Sequence, residues 1–126
     1  MEWSVSLSAD AKAVGEARRQ LRGTLCGRGI DRQHVQDALL VTSELVTNAV
    51  RHGSCQGDRV EVEFQLVQHR FSLCVRDAGR GRAMPRARPL GAEHTTGRGL
   101  AIVSRLARWS QHEVRCGREI RAEMDF

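Results

Sequence analysis

The sequence predicts an α+β fold, a two-layer α/β sandwich with a mixed, mainly antiparallel sheet and helices on one face. Three observations predict it. Alternating segments come as neighbouring pairs, "RVEVEFQLV" with "HRFSLCVRD" and "EVRCG" with "REIRAEMDF", each pair split by a short turn. The alternation leaves each strand one apolar face and one wet face, which suits a sheet covered on one side. Between and before these pairs lie segments with helical spacing. The 126 residues, 40% of them hydrophobic, suit one domain with one core, spanning residues 1–126.

Taken in order, "WSVSLS" from Trp3 to Ser8 alternates and reads as a short strand. Asp10 is placed to cap a helix running to about Gly27, with Val14, Ala17, Leu21 and Leu25 at helical spacing. Asp31 is the next N-cap. Ala38, Leu39, Leu45, Val46, Ala49 and Val50 draw one apolar stripe on a helix that ends near Gly53. At 100° per residue, Asp37, Glu44, Asn48 and Arg51 fall on the opposite side.

Val60, Val62, Phe64 and Leu66 then alternate, as do Phe71, Leu73 and Val75, with a tight turn near Gln68 and His69. Cys74 falls among apolar residues and reads as core. A long irregular stretch from Ala78 to Thr96 holds both prolines. A connection of that length in a small domain is usually functional or disordered. A helix follows from about Arg98 to Trp109, with Leu100, Val103, Leu106 and Ala107 inward. The last hairpin turns near Gly117, and Ile120, Ala122, Met124 and Phe126 alternate in its second strand.

Composition narrows the function. The longest apolar runs fall far short of a membrane span, and the N-terminus lacks a signal-peptide pattern, so a cytoplasmic protein is expected. Four scattered cysteines show no C-x-x-C spacing, which argues against zinc and redox motifs. The net charge of +5 would suit nucleic acid, but aromatic residues make up 4% and no stacking platform is evident. No direct nucleic-acid contact is expected. The charge fits an acidic protein partner or a polyphosphate ligand at least as well.

Three local patterns carry chemistry. In "SELVTNAVRHG" Glu44 and Asn48 sit one helical turn apart, about 6 Å along the axis. An amide oxygen is a hard ligand suited to Mg²⁺, and a glutamate beside it can take a proton from an attacking hydroxyl. In "DAGRG" the strand fixes Asp77, while Gly79 and Gly81 leave space beside it. An ionised carboxylate only accepts hydrogen bonds, so Asp77 would hold the amine of adenine and disfavour the carbonyl of guanine. In "TTGRGL" Gly97 and Gly99 open a helix whose N-terminus is an anion site suited to phosphates, with Thr95, Thr96 and Arg98 as further donors. Each has a plainer reading alone: a polar helix face, a turn, an ordinary glycine-containing helix start. Together they make one nucleotide site. The P-loop pattern is absent, so ATP would be bound by other means.

On these residues the chain resembles the GHKL superfamily, with the Bergerat ATP-binding fold shared by gyrase, histidine kinases and MutL. "ELVTNAVRH" matches its N-box, "DAGRG" its first glycine box and "TTGRGL" its second. The wider phrase "LLVTSELVTNAVRHG" and the short chain are most similar to the stand-alone anti-sigma factor serine/threonine kinases. The resemblance implies that Asn48 ligates Mg²⁺ on the ATP phosphates and that Glu44 is the general base. It implies Asp77 at the adenine amine, with Gly79 and Gly81 shaping that end. Thr96, Gly97, Arg98, Gly99 and Leu100 would lie by the phosphates, and residues 82–96 would form a lid, unusually basic with Arg82, Arg86 and Arg88 following Arg80. Arg51 and His52 would lie near. The implied partners are a sigma factor and an anti-anti-sigma antagonist protein, and the implied assembly is a homodimer. The alternative is a non-catalytic, nucleotide-dependent protein-binding module of the same fold.

Overall fold

The computed structural model describes residues 1–79, 95–115 and 117–126. Its elements run β1 (Glu2–Ser8), α1 (Ala13–Leu25), α2 (Arg32–His52), β2 (Arg59–Val67), β3 (Arg70–Asp77), α3 (Thr95–Leu106), β4 (Arg108–Val114) and β5 (Gly117–Asp125). The strands form one five-stranded sheet in the order β1-β2-β3-β5-β4. All four pairings are antiparallel. This is the predicted two-layer α+β architecture, with every strand pairing among the described residues antiparallel.

The core lies between sheet and helices. Val60, Val62 and Phe64 of β2, Phe71, Leu73 and Val75 of β3, and Ile120, Ala122 and Met124 of β5 point into it. Ala17, Leu21 and Leu25 of α1 and Leu39, Leu45 and Val46 of α2 meet them. Arg18 ties the two helices, its Nη1 donating to the Leu39 carbonyl at 3.2 Å and to Ser43 Oγ at 2.6 Å.

Helix α2 begins and ends as its sequence predicts. Asp31 Oδ1 accepts the Gln33 N–H at 2.8 Å, which satisfies one orphan donor of the first turn. The Gly53 N–H closes the last turn on the Ala49 carbonyl at 3.1 Å. Helix α1 starts later than the Asp10 cap predicts: Asp10 Oδ1 accepts the Lys12 N–H at 2.8 Å in a turn, and the helix opens at Ala13.

Three further differences have physical causes. Helix α3 starts at Thr95 and stops at Leu106, so Arg108–His112 is strand where spacing predicts helix to Trp109. No glycine or proline marks that junction. The switch is made by tertiary pairing, with Trp109 opposite Ala122 on β5. Second, Asn48 is buried, 6% exposed, rather than on a wet helix face. Third, Cys74 is buried but on the far face of the sheet, because its parity is opposite to Leu73 and Val75. It lies in register with Glu63 and Arg121, among ion pairs joining Arg76 to Glu63 and Glu119 and Arg121 to Glu119.

Burial pushes the Cys74 thiol up to about 11. The thiolate is the reactive form, so at pH 8 Cys74 should carry roughly a hundredth of an ordinary thiol's thiolate. Alkylation followed by mass spectrometry should label exposed Cys26 and Cys55 in the native protein and leave Cys74 unlabelled until the protein is unfolded.

Candidate functional site

Helix α2 organises the site. Its Leu45 and Val46 are fully buried, and they fix the turn that carries Glu44 and Asn48. Truncating Leu45 to Ala would cost about 2–5 kcal/mol and loosen that turn. Thr42, also buried, turns its Oγ1 back onto the Ala38 carbonyl at 2.8 Å and needs no outside partner.

Asn48, by contrast, is buried with neither amide atom bonded. Four buried side-chain polar atoms lack a hydrogen-bond partner among the described residues: Asn48 Nδ2, Asn48 Oδ1, Ser54 Oγ and Gln111 Oε1. Two of the four belong to one amide. An unmet buried polar atom costs about 1–3 kcal/mol, so each such group calls for a partner: a water, an ion, a ligand or a catalytic role. Asn48 lines a cleft between α2 and α3 together with Glu44, Thr47, Arg51, His52, Gly99 and Leu100. The enclosed space is about 20 Å³, room for one water-sized body.

The first turns of α3 form the opposite wall. A Cβ built on Gly99 would lie 2.6 Å from Glu44 Oε1, so only a glycine lets that backbone pass the carboxylate undisturbed. Leu100, 5% exposed, turns into the core and anchors the turn. The helix spans Thr96, Gly97 and Arg98 as well. The first turn of such a helix carries the partial positive charge that suits an anion.

Asp77 stands further along α2, at the level of Gly53, about 7.5 Å along the helix axis from Asn48. A Cβ on Gly53 would overlap the Asp77 carboxylate, so α2 ends in direct contact with it. The Asp77 side chain is 3% exposed and the Arg118 side chain 0%. Arg118 Nη2 donates to Asp77 Oδ2 at 2.5 Å and its Nε to the same oxygen at 3.1 Å. The Gly79 N–H donates to Asp77 Oδ1 at 2.7 Å, with Gly79 at φ 66°.

Of the predicted site residues, Glu44, Asn48, Gly99 and Leu100 share one cleft, and Asp77 and Gly79 flank it at the C-terminal end of α2. Arg51 and His52 line it too. Gly81 and the lid arginines lie outside the described residues. Sequence reasoning missed Thr47, the contact made by Gly53, and Arg118. The alternation of β5 holds the signal for Arg118: two positions upstream of Ile120, it falls on the inward face. A larger concavity, about 490 Å³, opens on the far side of the sheet around Glu63, Ser72, Cys74 and Arg121. Its walls are strand side chains tied in cross-strand ion pairs, and it shares no residue with the α2–α3 cleft.

Metal binding can be tested against this geometry. Among the described residues no group of three or more His, Cys, Asp or Glu side chains is placed to hold a metal. A Mg²⁺ ion needs no such cage, because it keeps several waters and takes one or two protein oxygens beside substrate phosphates. A buried Asn48 Oδ1 without a partner among the described residues, in a cleft walled by Gly99 and Leu100 of α3, fits that demand.

Comparison with known proteins agrees with the fold. None of the curated proteins matches the sequence. Among solved structures, the crystal structure of the RsbU and RsbW domains of Rv1364c from Mycobacterium tuberculosis is similar at 25% identity and a TM-score of 0.69, covering 99% of this chain and 32% of that one. The histidine kinase domain of the blue-light activated histidine kinase EL346 from Erythrobacter litoralis shares the fold at 18% identity and a TM-score of 0.58, covering 89% of this chain and 58% of that one. The chain thus spans about a third and under three fifths of these two structures. Residues 7–122 match the model of the histidine kinase-like ATPase domain, and the chain belongs to that family.

Proposed function

We propose that the chain is an ATP-binding regulatory protein that acts as an anti-sigma factor and phosphorylates a serine or threonine on an antagonist protein. The observation that carries the nucleotide reading is Asn48: a buried amide with both atoms unmet among the described residues, one turn from a carboxylate and in one cleft with Gly99 of a glycine-containing helix. The kinase and anti-sigma reading is supported by the motifs of α2 and by the likeness to a structure that contains an RsbW domain.

In this reading Asn48 Oδ1 would hold Mg²⁺ against the ATP phosphates, where the ion neutralises their charge. The backbone N–H groups opening α3 cradle the phosphate oxygens. Asp77 accepts from the exocyclic amine of the base. Glu44 accepts the proton of the attacking hydroxyl as that oxygen bonds to the γ-phosphorus. The bond from the γ-phosphorus to the bridging oxygen breaks, and ADP leaves with the electron pair. Sigma factor and antagonist would compete for the protein, and the nucleotide state would set the outcome.

Two outcomes are expected. Replacing Asn48 with Leu removes the unmet amide, so the ligand-free protein should gain about 1–3 kcal/mol in denaturant unfolding. The same variant should lose Mg²⁺-dependent ATP binding by calorimetry. A less stable variant that still binds Mg·ATP would contradict the role of Asn48. With γ-labelled ATP and candidate antagonists, label should reach a serine or threonine and fall about 10²–10⁴-fold in Glu44→Ala. Undiminished label in that variant would remove Glu44 as the base. Nucleotide binding without transfer to any antagonist would leave a binding module instead of a kinase.

A further inference from the structure

We propose that Arg118 is the residue that sets base specificity, acting through Asp77 as a positioning group. The proposal rests on the Mg·ATP reading above and adds a residue that none of the three sequence motifs contains.

The hydrogen-bond inventory of Asp77 carries it. A carboxylate offers about four acceptor positions, two on each oxygen. Arg118 fills both positions on Oδ2, through Nε at 3.1 Å and Nη2 at 2.5 Å. The Gly79 N–H takes one position on Oδ1 at 2.7 Å. Among the described residues one acceptor position therefore remains, on Oδ1. The carboxylate has little freedom to offer another: the guanidinium fork is fully buried, and Gly53 at the end of α2 abuts Cγ and both carboxylate oxygens.

A single fixed acceptor is what discrimination needs. It matches one N–H of an exocyclic amine, and it meets a ring carbonyl with repulsion between two acceptors. A carboxylate held less firmly can turn away from a carbonyl or take up a bridging water, and the difference between the two bases shrinks. The fork explains why arginine stands here. Lysine would bring the same charge to a single point and leave the carboxylate free to rotate. The backbone supports the pair, because Asp77 and Arg118 are directly opposite in the β3–β5 register.

The test compares Mg·ATP, Mg·ITP and Mg·tripolyphosphate binding by calorimetry in wild type, Arg118→Met and Arg118→Lys. ITP carries a carbonyl in place of the amine, and tripolyphosphate has no base. Wild type should favour ATP over ITP. Arg118→Met should reduce that ratio at least tenfold, Arg118→Lys by an intermediate factor, with tripolyphosphate affinity unchanged in both. If Arg118→Met does not fold, the Lys variant alone decides, since it retains the charge. An unchanged ratio overturns the proposal, as does parallel weakening of all three ligands, which would mark a merely structural residue. Wild type that binds ATP and ITP equally also overturns it, while leaving the phosphate site intact. Wild type that binds neither ATP nor tripolyphosphate overturns the Mg·ATP reading itself, and this proposal with it.

Discussion

A primary amide buried between two helices, with neither its oxygen nor its nitrogen bonded to another described residue, asks for a partner from outside the chain. Asn48 is that amide. Everything nearby in the fold keeps it there. Leu45, Val46 and Ala49 bury the neighbouring positions of α2, Leu100 and Val103 anchor α3 over it, and Gly99 lets the two helices come close without disturbing Glu44. A core selected for stability alone would put an apolar side chain at this position. On the proposed reading the unmet amide is the group that meets the ligand, with Glu44 one turn away and Gly99 of α3 across the cleft.

The other end of the site has the opposite character. Asp77 and Arg118 are buried as fully as core residues, and they answer each other. Such a pair adds little net stability over an apolar replacement, yet removing one partner strands a charge, typically at 3–5 kcal/mol. Its value is orientation. The pair joins the end of β3 to the start of β5 and meets the last turn of α2 at Gly53. The helix thus spans the site from one end to the other: Glu44 and Asn48 at a place left open, Gly53 at a place locked shut. The proposed function, with metal and phosphate at Asn48 and the base at Asp77, would use that division.

Most of the architecture was legible in the sequence because it depends on local rules. Asp31 and Gly53 bound α2, and the alternation of β2 and β3 with a turn at Gln68 gives the hairpin. The glycine and acid–amide patterns identified most of the residues that line the cleft. What the sequence hid depends on which elements meet. Counting 100° per residue set Asn48 on the polar side of α2, and it is polar; only the docking of α3 buries it. The boundary at Leu106 carries no breaker and is set by β4 pairing with β5. Cys74 looked like core by company and proves to face outward by parity. Arg118 and Asp77 lie 41 residues apart. Still, each continues an inward alternation, Phe71, Leu73 and Val75 for one and Ile120, Ala122 and Met124 for the other. Opposite charges at inward positions of two strands are a pattern that invites pairing once the strands are known to be neighbours.

The convergence of these groups on one ligand is open to direct observation by two-dimensional nuclear magnetic resonance during a titration with Mg·ATP. The side-chain amide of Asn48 and the backbone amides of Gly79 and Gly99 should move together, with one shared saturation curve, because a single molecule reaches all three. If the Asn48 amide stays still while the protein takes up Mg·ATP, or if the three signals saturate at different concentrations, the residues do not form one site.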